Sequence, residues 1–348
     1  MLTAAAIKAH ASKVGFDLCG IARAVRHPRL ARLAEWYASG EAGEMRYLAD
    51  PYGERADPRR VLPTARSVIS LGVVYNTDAP YSNRRAHDGR VAIARYAWGE
   101  DYHRILRRRL CELLVWMNDQ AGPGLEAMSC VDDGPVQERV FAEQAGLGWI
   151  GKNTCLINPE LGSWIFLAEI ITNVELEHDT PGIDQCGGCT RCLDACPTGA
   201  LVEPYRLDAR RCLSYLTIEV RGAVDEASKT AVRDHVFGCD ICQDVCPWNA
   251  RASESDDPAW QARSGLVFPM LLDLCRLTDE AWGALLEGSA MRRAGLTRLR
   301  RSMAHAAASR PAEEGSQALD ALDAHQSASL PIVADAIAWS RRRLAEER

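Results

Sequence analysis

The sequence has no apolar stretch long enough to cross a bilayer. Its longest runs, Ser67 to Tyr75 and Trp164 to Ile171, fall well short of the roughly 20 residues a membrane helix needs. The opening MLTAAAIKAHASKVGF lacks a basic start, an extended apolar core and a small-residue cleavage site, so the expectation is a cytoplasmic protein without a membrane partner. Charge of one sign is not in excess either. Against 47 acidic residues stand 41 basic ones, a net charge of -6, which gives no global nucleic-acid signature and leaves only local basic faces for such a role. A nucleotide loop is also missing. The string GLGWIGKN at Gly146 to Asn153 has neither the G-x-G-x-x-G context after a first strand nor a P-loop ending, which argues against nicotinamide and ATP chemistry.

Cysteine, by contrast, is abundant. With 47% hydrophobic and 25% charged residues over 348 positions the chain reads as globular, yet it carries 13 cysteines. An odd number in a reducing compartment does not make a disulfide framework, so metal or redox chemistry leads. Eight of the 13 fall between Cys186 and Cys246, and this abrupt change of composition marks a separate small module.

Hydrophobic periodicity predicts a helix over Leu2 to Val14, a strand over Phe16 to Ala22 and a helix over Ala31 to Tyr37. A Pro/Gly/Arg-rich loop at Pro51 to Pro63 precedes a central strand at Ser67 to Asn76, and a polar loop spans Thr77 to Arg90. A long helix is expected over Asp101 to Asp119, then a strand at Leu125 to Val131 ending at the acidic pair Asp132 and Asp133. A helix from about Pro135 to Ala145 and a strand at Gly162 to Thr172 complete an α+β first domain. Beyond Trp248 the chain turns Ala/Leu/Arg-rich, with helical candidates at Leu266 to Leu277, Thr278 to Leu286, Met291 to Ala308 and Leu330 to Glu346.

The strongest chemical signal is C-x2-C-x2-C-x3-C-P, filled by Cys186, Cys189, Cys192, Cys196 and Pro197. A second array supplies Cys212 and then Cys239-x2-Cys242-x3-Cys246-Pro247. Thiolates are the soft ligands of iron-sulfur clusters, and in two-cluster ferredoxins the cysteine before proline ligates the other cluster. On that rule Cys186, Cys189, Cys192 and Cys246 hold one 4Fe-4S cluster, and Cys196, Cys212, Cys239 and Cys242 hold the other. Cys212 lies 27 residues before Cys239, so an insertion sits inside the module. The competing reading is a pair of structural zinc sites built on Cys186/Cys189 and Cys239/Cys242. Zinc, however, has no use for Cys192 or for the two Cys-Pro endings. Cys19, Cys111, Cys130, Cys155 and Cys275 lie in apolar stretches and read as core residues.

The strings VDDGPVQERVFAEQAGLGWIGKNTCLI, GSWIFLAEIIT, CGGCTRCLDACPTGAL, RRCLSYLTIE and GCDICQDVCPWN together closely resemble the epoxyqueuosine reductases, from about Arg55 to Asn249. The resemblance implies a cobalamin-dependent enzyme with two 4Fe-4S clusters. Such an enzyme reduces the epoxide of epoxyqueuosine at the wobble position of tRNA, with electrons from a flavodoxin or ferredoxin. The family's D-x-x-P-V-x-E-R motif matches Asp132, Pro135, Val136, Glu138 and Arg139, and its aspartate is the proton donor to the departing epoxide oxygen. A donor of this kind needs a raised pKa near neutrality, which burial or Asp133 would provide; the plain alternative is that Asp132 is a helix N-cap. The same resemblance assigns Arg55, Arg95, Tyr96, Asp132, Lys152, Ser214, Arg221 and Asp240 to a cobalamin and substrate pocket. The chain has no D-x-H-x-x-G segment, so no histidine ligand to cobalt is expected, and His103 reads as a helix-surface or pocket residue.

The implied organisation is a nitroreductase-like cobalamin-binding domain at 1–180 and a ferredoxin-like module at 181–255 with an insertion around 212–235. A HEAT-like helical tail at 256–348 completes it. In that tail MRRAGLTRLRR concentrates Arg292, Arg293, Arg298, Arg300 and Arg301, a candidate phosphate-binding face whose bland counterpart is a solvated helix face. The family's Arg-Asn pair reads Arg301-Ser302 here, and its Leu-Gly-Asn reads Ala307-Ala308-Ser309. The expected state is a monomer, with the Cys196 cluster as the outer one. Two other functions fit parts of the pattern: a corrinoid reductive dehalogenase, whose twin-arginine signal is absent here, and a non-catalytic electron-transfer subunit, which would not need the Asp132 motif.

Overall fold

The computed structural model describes residues 2–49, 53–84 and 88–346. Of the two expected loops, Pro51 to Pro63 and Thr77 to Arg90, residues 51–52 and 85–87 lie outside the described residues.

A four-stranded sheet organises the first half, in the order Leu18–Arg23, Ser67–Val74, Ile165–Thr172, Ala127–Cys130, with every neighbouring pair antiparallel. The Ser67–Val74 strand is buried at every position, because both faces of the sheet are covered. Alternation along the strands sorts the side chains. Ile69, Leu71, Val73, Phe166, Ala168 and Ile170 share a core with the Ala4–Lys13 and Tyr102–Ala121 helices. Val68 and Ile171 point the other way and pack with Val140 and Phe141 of the Glu138–Gln144 helix. That second helix sits so close that a Cβ on Gly20 would stand 2.0 Å from the Ala145 carbonyl oxygen, so only glycine fits there.

The cysteine-rich segment is built of short pieces. Each C-x2-C array runs into a one-turn helix, Arg191–Asp194 and Ile241–Asp244. Between them lie the Leu201–Glu203/Arg206–Leu207 hairpin and the Leu213–Ile218 and Glu226–Val232 helices. The His235–Phe237 strand then returns to pair in parallel with Ala92–Ile93 of the first half.

Among the described residues the last part of the chain forms five α-helices: Leu271–Arg276, Asp279–Leu286, Gly295–Ala307, Ala312–Asp323 and Pro331–Glu346. Their core is continuous with Val91, Ile93, Trp98, Val236 and Phe237, so the tail packs onto the segments that carry the cysteines. The expected helix at Met291 to Ala308 is interrupted. Ala290–Arg293 forms a 3-10 turn and Gly295, at φ +69°, opens the α-helix proper, as a glycine at positive φ does. Among the described residues no helix is long and apolar enough to cross a membrane.

Candidate active site and electron path

Four thiols from distant positions meet. Cys186, Cys189, Cys192 and Cys246 line one cavity of about 230 Å³ together with Lys152, Asn153, Arg191 and Trp248. The other thiols converge separately: Cys212 and Cys239 lie in one another's field and in that of Cys196, and Cys242 faces both Cys239 and Cys212. Each array thus sends its last cysteine to the opposite group, because the one-turn helix after each loop carries it across. Four soft thiol donors in each group match the four cysteine ligands of a 4Fe-4S cluster. The first group lies in the more open segment, flanked by exposed Ile183, Asp184, Gln185, Gly187 and Gly188, whereas Gly238 and Asp240 around the second are buried. The expected order of the clusters is therefore reversed: the Cys186 group is the outer one.

The glycine-rich GLGWIGKN string is a hairpin, Trp149–Ile150 against Leu156–Ile157. Its glycines admit other backbone rather than a ligand: a Cβ on Gly148 would stand 2.1 Å from the Ile157 carbonyl oxygen. Lys152 at its tip donates to the carbonyl oxygens of Gly187 (2.6 Å) and Cys189 (2.9 Å). Its ammonium thus ties the hairpin tip to the first cysteine loop. Trp149 Nε1 donates to Cys186 Sγ at 3.5 Å. Just before the return strand the Cys155 thiol pairs with Cys242, so Cys155 is a neighbour of the second thiol group and not plain core. Its only signal in the sequence was its place in the same string as Lys152.

Asp132 stands at φ +60°, a left-handed conformation uncommon outside glycine. Three contacts hold it there. Its backbone N–H donates to Glu138 Oε1 at 2.5 Å, Tyr102 Oη donates to its Oδ2 at 2.8 Å, and His103 Nε2 lies 3.6 Å from the same oxygen. His103 Nδ1 is 2.8 Å from Oδ1 of Asp101, and Asp101 also caps the Tyr102–Ala121 helix by accepting from His103 N. The helix start D-Y-H thereby delivers two donors to one carboxylate. Asp132 does not cap the following helix; that helix begins at Glu138, and its N-cap, Gln137, makes no side-chain cap bond. Asp133 turns away and pairs with Arg107.

The electrostatics invert the expectation for Asp132. The His103 contact, aided by Tyr102 and opposed by burial, holds its carboxyl below the usual carboxylate range. Burial acts to lower His103, but its contacts with Asp101 and Asp132 outweigh that and push the imidazole up to about 9. Burial, and then the Asp132 charge, push the Tyr102 phenol far up, so it stays a donor. At neutral pH the ionisable proton of this cluster resides on His103. The Asp132 side chain is 59% exposed, and Arg293 and Tyr96 lie within range of its charge.

The other predicted residues divide. Tyr96 packs edge-on to Tyr102, and a Cβ on Gly238 would lie 3.7 Å from both the Tyr96 ring and Ser214 Oγ, so Tyr96 and Ser214 flank one position. Arg95 is 3% exposed and spends its guanidinium on Thr77 O and Oγ1 and on the Ala79 and Pro80 carbonyls. These bonds from both terminal nitrogens make it a clamp for the 77–80 loop. Asp240 accepts from Arg95 N at 2.6 Å, and burial followed by Asp244 pushes its carboxyl up to about 7. Arg55 donates weakly to the Tyr47 carbonyl (3.4 Å), while its own carbonyl accepts from Gln137. Arg221 is exposed, its backbone N–H bound to Glu44.

The basic stretch of the tail is mostly internal. Arg300 is fully buried and paired with Asp279. Arg301, also buried, donates to the Leu216, Val220 and Gly222 carbonyls. Arg298 turns back onto the Ala294 and Arg293 carbonyls. The expected five-arginine phosphate face thus shrinks to exposed Arg292 and Arg293, the latter paired with Glu219 and stacked over Tyr47.

Sequence comparisons agree with this geometry. The model of the epoxyqueuosine reductase QueG family matches residues 55–133, and that of the 4Fe-4S double cluster binding domain matches residues 185–249. The chain is 46% identical over 310 residues to the epoxyqueuosine reductase of Gloeobacter violaceus, covering 86% of this chain and 94% of that one. It is 39% identical over 347 residues to the one from Pseudomonas aeruginosa, covering 99% and 95%. A crystal structure of epoxyqueuosine reductase with an epoxyqueuosine-modified tRNA-Tyr stem loop superposes with a TM-score of 0.87 at 30% identity, covering 98% of this chain and 89% of that one. A Bacillus subtilis epoxyqueuosine reductase with its catalytic aspartate loop swung out of the active site superposes at 0.86 and 30%, covering 98% and 90%. By its sequence along nearly its whole length, this chain belongs to the epoxyqueuosine reductase family.

Proposed function

We propose that this chain reduces the epoxide of epoxyqueuosine in tRNA to the alkene of queuosine, the last step of queuosine synthesis. The observation that carries this reading is the Asp132 cluster, a solvent-facing carboxylate backed by a protonated histidine and a phenol, in a chain of this family. The reaction consumes a pair of electrons and a pair of protons and releases water. When bound, the two 4Fe-4S clusters supply single electrons, and cobalamin beside Asp132 supplies the cobalt centre at which the substrate is reduced. Support for the clusters is the four-and-four convergence of thiols; support for the corrinoid is the family, with the exposed Asp132 carboxylate and the neighbouring Tyr96 and Ser214 as its candidate lining.

The residues of this chain manage the proton. Asp132 is the solvent-facing group, and His103, held by Asp101, stores the proton. Transfer from His103 through Asp132 to the departing oxygen turns a poor alkoxide leaving group into a hydroxyl. Tyr102 keeps Asp132 oriented throughout by its hydrogen bond to Oδ2. Electrons from a flavodoxin or ferredoxin enter at the Cys186 cluster and pass to the Cys196 cluster. The tail helices, a HEAT-like unit in this reading, hold the tRNA, with Arg292 and Arg293 at the phosphates; the domain limits are those of 1–180, 181–255 and 256–348, and the protein acts as a cytoplasmic monomer.

The test is anaerobic incubation of the iron-reconstituted protein with cobalamin, a strong reductant and tRNA bearing epoxyqueuosine, followed by nucleoside mass spectrometry. Loss of one oxygen that disappears without cobalamin and in Asp132→Ala is the expected result. No conversion by protein loaded with both cofactors overturns the assignment.

A further inference from the structure

Behind Asp132 lies a second pair of acids that the reaction does not use. Glu169 sits in the middle of the Ile165–Thr172 strand, directly opposite Ser70 on one side and Cys130 on the other. It is 0% exposed, and neither of its carboxylate oxygens has a donor. Glu138, at the first position of the helix that covers this face, brings its carboxylate to the same spot. Ligating atoms of Cys130, Glu138 and Glu169 all lie within 4.8 Å of one another. Two acceptors this close in a dry layer between sheet and helix repel unless something positive lies between them. Among the described residues no cation bonds to either Glu169 oxygen; the charged groups facing the pair are Asp132 and Arg139, with Asp133 and Arg55 acting on the adjoining Cys130 thiol.

We propose that Glu138 and Glu169 share one proton and act together as positioning residues that latch the Asp132 loop. The shared proton lets the Glu138 carboxyl stay seated against Glu169, and from that seat its Oε1 accepts the Asp132 N–H and holds Asp132 at φ +60°. Without the proton the two charges repel, Glu138 is driven off, and the acid-bearing loop is free to leave the site. Burial raises both acids, Glu138 to about 7 and Glu169 well above its ordinary value. The sign follows: the latch is closed while the pair retains a proton and opens as the pH rises past its loss. The catalytic meaning of the latch rests on the proposed reduction, but the latch itself is measurable without turnover.

The experiment uses the full chain with its clusters. Hydrogen exchange of the 130–138 segment is followed against pH in wild type, Glu169→Gln and Glu169→Ala, with infrared difference spectra of the buried carboxyls. Glutamine donates an N–H to Glu138 in place of the shared proton. Protection of the Asp132 amide should therefore be lost with rising pH in the wild type, persist in Glu169→Gln, and be absent in Glu169→Ala. A protonated-carboxyl band in the wild type should vanish in Glu169→Gln, and Glu138→Gln, which keeps its acceptor oxygen, should also hold the loop. Conversion of epoxyqueuosine should survive in both glutamine variants and fall on the order of 10²-fold in Glu169→Ala. A wild type without the carboxyl band, protection with the same pH dependence in wild type and Glu169→Gln, or a stoichiometric zinc ion lost in Glu169→Gln would overturn the proposal. If the band and the protection behave as expected and no protein converts the substrate, it is the proposed reaction that fails and not the latch.

Discussion

His103 shows how one side chain acquires a role from its two neighbours. Asp101 fixes the ring from the Nδ1 side at 2.8 Å and Asp132 waits at 3.6 Å on the Nε2 side. The imidazolium is thereby favoured over the neutral ring through neutrality and is lost as the pH rises through about 9. Its contribution to stability is complete below the ordinary histidine value and disappears across that upper range. Asp132 works in the opposite direction: its carboxylate persists until the pH falls below the usual carboxylate range. Turnover should accordingly fall as the pH approaches 9, because the stored proton is then gone. A His103→Gln variant should lose the imidazolium's share of that alkaline limb, keeping only the fall that comes from opening of the Glu138–Glu169 latch, and run on the order of 10²-fold slower throughout, as read from initial rates by nucleoside mass spectrometry. Asp132→Asn keeps an acceptor for Tyr102 but cannot relay a proton, so its rate should fall further while cluster content stays unchanged.

At the scale of elements, the Gly295–Ala307 helix separates two uses of arginine that the sequence presents as one. Arg301 donates to three carbonyls from the Leu213–Ile218 helix and the segment after it, so it ties the tail to the cysteine-bearing segment. Arg301→Leu strands those acceptors in a buried layer and should cost on the order of 3 kcal/mol in denaturant unfolding. Arg292→Ala and Arg293→Ala, at exposed sites, should leave the unfolding midpoint nearly unchanged. Each should weaken tRNA binding and reduce the slope of log affinity against log salt by about one. The sequence revealed this helix by its period but not which arginines were internal, since the burial of Arg301 depends on partners 79 to 85 residues away and that of Arg300 on Asp279 in another helix. The sheet strands at Ser67–Val74 and Ile165–Thr172 were legible because dense β-branched runs buried on both faces have few other solutions. The Ala312–Asp323 helix escaped the periodic reading: it opens Ala-Glu-Glu-Gly-Ser-Gln, and only the Ala318, Leu319 and Leu322 face, packed in the tail core, identifies it.

Across the whole molecule the cysteine spacing carried the most information, because crossed ligation is a property of local chain geometry. A loop grips three metals with closely spaced thiols, and the turn of helix after it must deliver the fourth thiol elsewhere. Which group faces solvent was not legible, since that depends on how the module docks. Here the His235–Phe237 strand inserts beside Ala92–Ile93 and carries Cys239 and Asp240 inward toward Arg95 and Tyr96. In the proposed electron path the group in the more open segment, that of Cys186, receives electrons and passes them to the second group. Single substitutions separate the two functions. Cys246→Ala belongs with Cys186→Ala despite lying in the other array, and Cys196→Ala belongs with Cys239→Ala. In electron paramagnetic resonance of the dithionite-reduced, reconstituted protein, each pair should lose the same cluster signal and keep the other. Variants of the first pair should retain a second cluster that chemical reductants still reduce, yet accept electrons from a flavodoxin or ferredoxin far more slowly. Pairing by sequence array, with Cys246→Ala matching Cys239→Ala, would refute the crossed arrangement and with it this direction of electron flow.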